Sequence, residues 1–348
     1  MEISRELFDQ QRRPRFGTAN PERMQLAFWE WMIRGEKSPL LDDENGLAGL
    51  GLMMREGKLK SGYGPHRARD LFKVPINRED GPIWTFERYG TTQNELPDGR
   101  MVCIGGEHED YYDADFCIYN DVIVLGPEGQ IEIYGYPKEV FPPTDFHTAS
   151  LLNGRIIIVG SLGYMQERHP GYTPVYSLDL SGYHMSEIKT SGEMPGWISE
   201  HESVLGSNKT ITIRGGKVIE QKGGKQQYRR NLEDYALDLR SGVWSRVTNR
   251  NWRQFSICQE DGQLFALERD LNPENLIPRM AERTVASDNE SRRIGIVVSG
   301  VPISLIVGVR FIEIIVEGKL PDEMCLQLAE EIRANAEAAI KHRCVLEE

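Results

Sequence analysis

Asp98-Gly99-Arg100-Met101-Val102-Cys103-Ile104-Gly105-Gly106 returns as Asn153-Gly154-Arg155-Ile156-Ile157-Ile158-Val159-Gly160-Ser161. It returns again, without its first glycine, as Asn208-Lys209-Thr210-Ile211-Thr212-Ile213-Arg214-Gly215-Gly216. The intervals from 98 to 153 and from 153 to 208 are both 55 residues, and a fainter copy, Asp261-Gly262-Gln263-Leu264-Phe265-Ala266-Leu267, follows 53 residues further on. A fixed period of this length means one supersecondary unit used repeatedly, each copy too small to bury its own faces and completed by its neighbours.

Each copy reads as a four-stranded meander. Unit one takes residues 84–89, the Asp98-Gly99 turn, 101–104, 118–125, a turn at Pro127-Glu128-Gly129, and 130–134. Unit two takes 148–152, 155–159, 175–180 and 184–188. Unit three takes 202–205, 210–214, 235–239 and 243–247. The fourth copy opens with 254–258 and 263–267, then gives way to a polar stretch before strands at 294–298, 303–307 and 310–316. These strands either complete a fourth unit or form a separate module.

The ends read differently. Residues 1–19 are charged and expected as a loose arm or packed-down loop. Asn20-Pro21-Glu22 reads as a helix start, with Asn as cap and Pro at the first helical position. The helix through Arg34 that follows is apolar on most sides, with Trp29 and Trp31 as expected caps on the strand array. Short helices are expected near 47–54 and 65–72. Residues 321–343 read as an amphipathic helix with Met324, Leu328, Ile332, Ala336 and Ile340 on one face. The resulting division is a helical segment 1–81, blades 82–267, and divergent strands plus a helix 268–348.

A formal net charge of −12 argues against broad binding to nucleic-acid phosphates or anionic membranes. Five cysteines with no CxxC pair form neither a disulfide framework nor a zinc ribbon. The opening residues Met1 to Glu6 lack an apolar signal core, and no apolar run approaches the roughly 18 residues of a membrane span. A cytoplasmic protein is expected.

Each unit places an apolar strand ending in Gly-Gly or Gly-Ser before a variable loop, then a strand with Asp, as in Tyr119-Asn120-Asp121-Val122 and Tyr235-Ala236-Leu237-Asp238, then a tight turn, once followed by Trp in Gly242-Val243-Trp244. Over roughly residues 84–265 this resembles the kelch repeat, one blade of a β-propeller. The stretch 82–147 is similar to uncharacterised bacterial kelch-motif proteins. The resemblance implies a mainly β fold, a kelch-like propeller or an open array of three clear blades and a divergent fourth, with N- and C-terminal helices. Galactose-oxidase-like enzymes share the scaffold, but their Tyr–Cys cross-link and two copper histidines have no assignable counterparts here.

The densest polar cluster is Glu107-His108-Glu109-Asp110-Tyr111-Tyr112-Asp113-Ala114-Asp115. Its acids suit a hard cation such as calcium, although the EF-hand pattern is absent. Tyr111 and Tyr112 suit anchors in a binding surface, the reading preferred here. His147 and His201 hold repeat-equivalent places, which favours a framework role. With Asp121 and Asp145, His147 is also a candidate metal or acid–base set. Cys103, Cys117 and Cys258 read as small core hydrophobes. Gly223-Gly224-Lys225-Gln226-Gln227 is expected as an exposed flexible loop.

Two functions remain in view. The first is a non-enzymatic module whose loops 107–116, 163–173 and 217–231 leave the same place in each unit and present a surface to a protein partner. Its expected surface is Glu107 to Asp113 with Asp145, His147 and His201, and it needs no cofactor. The second is an enzyme acting on a small, carbohydrate-type molecule at the propeller axis. No P-loop, HExxH or GxSxG motif is present, which favours the first.

Overall fold

Three four-stranded antiparallel meanders follow one another in the computed structural model, which describes residues 3–37, 68, 71–73, 81–108, 116–265, 271–288 and 292–348. The first joins Thr92–Glu95, Met101–Ile104, Val122–Leu125 and Ile131–Gly135. The second joins Thr148–Leu152, Arg155–Val159, Val175–Asp179 and Met185–Glu187. The third joins Glu202–Leu205, Thr210–Arg214, Tyr235–Asp238 and Val243–Arg246. In each, strand order in space is strand order in the chain. Glu22–Arg23 adds antiparallel to the outer edge of the first, and Ser191–Gly192 runs parallel to Val243 and Trp244 at the edge of the third.

Alternation along the strands sends side chains to two faces; both are covered in the first two meanders and one in the third, where Ile211 and Ile213 are buried and Arg214 is exposed. Val102, Ile104, Val122 and Val124 pack with Ile156, Ile158 and Leu178 of the second sheet. The intervening Cys103, Ile123 and Leu125 pack against the N-terminal helices. Ile157, Val159 and Val175 meet Ile211, Ile213, Leu237 and Trp244 of the third sheet. Face-to-face stacking explains why the first two repeat phrases read as continuous apolar runs, while the third, Thr210–Arg214, alternates.

The N-terminal layer departs from the sequence expectation. Asn20 is no helix cap: its amide donates to the Met185 carbonyl (2.7 Å) and its Oδ1 accepts from the Met185 N–H (2.9 Å). The chain after it forms the edge strand, and the helix begins later, as Ala27–Lys37. The charged arm holds a helix of its own, Arg5–Gln11, with Ser4 Oγ accepting from the Leu7 N–H at 3.2 Å. Phe8, Phe28, Trp29, Met32 and Ile33 are buried together with Ile83 and Trp84. Trp29 lies flat on Trp84, with centroids 4.7 Å apart and planes 6° apart. Residues 84–89, expected to open the first meander, are not a strand there. Trp84 N–H donates to Arg12 O (2.7 Å), and Tyr89 exchanges both backbone bonds with Glu107 at 2.8 Å. Of the two short helices expected before the meanders, 47–54 lies outside the described residues, while Ala68, Leu71 and Phe72 are helical.

The chain divides into two compact units, Met1–Val247 and Thr248–Glu348. In the second, Arg253–Gln259 does not open a fourth meander. It is hydrogen-bonded between Ile312–Val316 and Cys344–Glu347 in a six-stranded antiparallel sheet that also holds Arg283–Asp288, Arg293–Val298 and Val301–Val307. Residues 263–265, read as its partner strand, are irregular, and 266–267 lie outside the described residues. The helix Asp322–Ile340 covers one face of this sheet. Cys325, Leu328, Ala329, Ile332 and Ala336 are all buried against Phe255, Ile257, Ile294, Leu305 and Ile314. It stops at Lys341, in left-handed backbone, so the basic residues 341–343 follow the helix and do not belong to its last turn. The fold is mainly β, with several antiparallel sheets and three helices among the described residues. None of those helices is long and apolar enough to cross a membrane.

Candidate functional site

The segment leading into each new meander is built the same way. Phe146 N–H donates to Gly90 O, and Glu200 N–H donates to Phe146 O, both at 2.8 Å. The next residues are the histidines. His147 Nε2 lies 2.8 Å from Thr92 Oγ1, and His201 Nε2 lies 3.0 Å from Thr148 Oγ1. Each imidazole thus ties its own meander to the first strand of the preceding one. Both are buried, and burial lowers His147 to about 3, with the nearby His201 adding to the effect, and His201 to about 4. They are neutral at pH 7.

Asp145 is buried as well. Its Oδ1 accepts from the Gly163 N–H at 2.6 Å and lies 3.4 Å from Ser161 Oγ, fixing the start of the second excursion, while burial raises its pKa. His108 is buried with Nδ1 3.0 Å from Glu87 O. The expected binding surface is therefore corrected. His108, Asp145, His147 and His201 face the interior, because these places are where one repeat is bonded to the next. Glu107 is half-buried in a short ribbon with Ile118. Glu109, Asp110, Tyr111, Tyr112 and Asp113 lie outside the described residues, and with them the calcium option. Asp121 does not join Asp145 and His147. Among the described residues no three His, Cys, Asp or Glu side chains are grouped as a metal would need.

Asp121 instead meets Arg88. The guanidinium reaches both carboxylate oxygens, one bond being 3.0 Å, and also donates to Thr85 O (2.9 Å) and Gly105 O (3.1 Å). Its plane lies 3.5 Å from the Tyr119 ring centroid, and Trp84 Nε1 donates to Asp121 Oδ2 at 2.9 Å. Both charges are buried and every donor of this pair that matters has a partner, the condition under which a buried ion pair is tolerated. Beside it opens a cleft of about 370 Å3, bounded by Arg13 to Phe16, Gly81, Pro82, Trp84, Cys117 to Asp121 and Tyr164. Burial pushes the Cys117 thiol up to about 12, so it is no nucleophile at neutral pH.

The three excursions touch one another. Tyr164 Oη of the second accepts from the Ile118 N–H of the first at 2.9 Å, and its ring meets Phe116 edge-on at 5.7 Å. Arg168 donates to Tyr228 Oη (2.9 Å) in the third, and Gln226 Nε2 donates to Met165 O (3.0 Å). The third is not a flexible loop. It is a hairpin, Lys217–Lys222 with Lys225–Arg230, turned by Gly223-Gly224 at φ 57° and 79° and flanked by Trp197–Ser199. Two successive positive-φ residues are what a two-residue hairpin turn demands. Phe116, Met165 and Tyr228 stand on this contiguous surface at 43%, 64% and 41% exposure.

Sequence reasoning did not single out Arg88, Trp84, Tyr164 or Arg13. Only Asp121 carried a signal, through the Asn120-Asp121 pair. Arg88 lies outside the repeated phrase, and nothing in its neighbours marks a buried cation. Neither a protein-family model nor a curated protein sequence matches the chain.

Proposed function

We propose that this chain is a kelch-like, non-enzymatic interaction module of the cytoplasm, with its three stacked meanders acting as blades and their excursions as the recognition face for a protein partner. The observation that carries this reading is the mutual bracing of the excursions: Tyr164 onto Ile118, Arg168 onto Tyr228, and Gln226 onto the Met165 carbonyl. Braced loops bind with little ordering cost, and exposed Phe, Met and Tyr beside Arg are the side chains enriched at interfaces. Five free cysteines suit a reducing compartment. Among the described residues, Asp121, Asp145, His147 and His201 are each bonded to framework partners, which favours binding over catalysis.

The test is affinity purification from the native host with the wild type and with Met165→Asp and Met165→Lys, changes to an exposed side chain that takes no part in the bracing. These changes should leave the melting temperature unchanged and remove a co-purifying protein. A partner retained by these variants at wild-type yield would place recognition elsewhere.

A further inference from the structure

We infer that the cleft beside Trp84 binds a small aromatic monocarboxylate. The inference does not rest on the proposed interaction face, although Ile118 and Tyr164 both line the cleft and brace the excursions. Its volume of about 370 Å3 lies within the range of small-ligand pockets and accommodates two fused rings with a short acid arm. Phe16 and Tyr164, with Pro14 and Pro82, supply its apolar walls, whereas Trp84 and Tyr119 are buried behind them with ring faces against Trp29 and Arg88. Such walls favour a planar ring held by stacking and edge contacts over a polyhydroxylated ligand, which would lose hydration without gaining hydrogen bonds.

Charge decides the other half of the ligand. Three arginines come near the cleft, and two are already matched. Arg88 is held by Asp121 in the floor, and Arg15 by both oxygens of Glu22, at 2.7 and 3.2 Å. Arg13 lines the cleft, is exposed, and has no acid partner among the described residues. In a chain of net charge −12 an unmatched arginine at the rim of an apolar cleft selects one negative charge. A guanidinium receives a carboxylate through two parallel hydrogen bonds, so a carboxylate fits better than a neutral amide of the same shape. Cys117 is kept protonated by burial and Asp121 is committed to Arg88, so the lining side chains bind the ligand without a covalent step.

The test is isothermal titration of the full chain with 2-naphthylacetate and, separately, with 2-naphthylacetamide. The acid should give saturable one-to-one binding and the amide should bind about tenfold more weakly or less, the worth of one charge-assisted bond. Arg13→Gln should bring the acid to the level of the amide without altering the amide. Phe16→Ser should weaken both. Arg13 and Phe16 are exposed, and unchanged melting temperatures confirm that the variants are folded. Arg13→Lys, which keeps the charge but loses the fork, should fall between. Absence of saturable binding of the acid, equal affinity for acid and amide, or undiminished acid binding by Arg13→Gln would each overturn the inference.

Discussion

Thr92 and His147 are 55 residues apart in sequence and their Oγ1 and Nε2 atoms are 2.8 Å apart in space. The interval of the sequence repeat is thus also the span of a hydrogen bond from one meander to the next. Thr148 and His201 make the equivalent link at 3.0 Å. A residue at a repeat-equivalent place bonds the residue that the preceding repeat places beside it, so successive meanders are held at their first strands by side chains as well as by apolar packing.

These histidines predict acid sensitivity. The unfolded chain takes a proton on each near pH 6.5, whereas burial holds the folded values at about 3 for His147 and about 4 for His201. The folded state therefore favours the neutral form. Its contribution is complete above pH 6.5 and is lost as pH falls toward the folded values. At pH 4 the loss from His147 alone should reach on the order of 3 kcal/mol. Urea midpoints of the wild type and His147→Gln, taken between pH 7 and pH 4, measure it. The variant should show the shallower decline, and parallel curves would rule out the linkage.

The Arg88–Asp121 pair predicts a second, larger effect. Arg88→Met leaves the Asp121 carboxylate buried with only the Trp84 N–H beside it, and should destabilise the first unit by about 3–5 kcal/mol. Adding Asp121→Leu removes the stranded charge and should restore much of the loss. Denaturant melts of the two single variants and the double variant check this. If the double variant is as unstable as the sum of the singles, the two charges are not coupled.

How much of this was legible in the sequence follows from where its information lies. The three meanders were readable because Met101–Ile104, Arg155–Val159 and Thr210–Arg214 recur at one period, apolar on both faces in the first two, where sheets stack on either side, and on one face in the third. The start of the first meander was misplaced because residues 84–89 have strand composition, yet Trp84 is drawn away by Arg12, Trp29 and Asp121. Asn20 carries the local signature of a cap, and a partner 165 residues away took its amide. The fourth copy failed for a similar reason. The strand Arg253–Gln259 finds its hydrogen bonds with Ile312–Val316 and Cys344–Glu347, pairings that no short-range signal announces. The site was the least legible part, since its cleft is assembled from four separate stretches and its buried cation lies outside the repeated phrase.

The second unit should not survive loss of its helix. Deleting 321–348 removes Leu328 and Ile332 from the sheet face and the strand Cys344–Glu347 from the edge of Arg253–Gln259. An uncovered apolar face beside an unpaired edge invites aggregation. The truncated chain should be recovered mainly in the insoluble fraction or as high-mass species on size exclusion. A milder probe is Leu328→Ala, expected to cost about 2–5 kcal/mol. A truncated chain that stays monodisperse with the full-length melting profile would show that the helix contributes little.

A pair of glycines separates backbone conformation from space. Gly154 and Gly160 have nearly the same left-handed φ, 76° and 77°. At Gly154 a Cβ would meet nothing within 4 Å, so Gly154→Ala carries only the conformational penalty, about 1–2 kcal/mol. At Gly160 a Cβ would run into the Ile198 carbonyl oxygen and lie 2.7 Å from His201 Cε1. Those atoms belong to the segment that enters the third meander, where Ser161 N–H also bonds Ile198 O at 2.9 Å. Gly160→Ala must therefore displace backbone that two hydrogen bonds hold in place, including the link from His201 to Thr148. It should cost at least about 2 kcal/mol more than Gly154→Ala, since overpacking a fixed backbone adds to the conformational term. Parallel urea titrations of the two alanine variants give the comparison. Equal losses would mean that the second glycine of the repeat serves its turn alone and that the approach between successive meanders is loose enough to admit a methyl group.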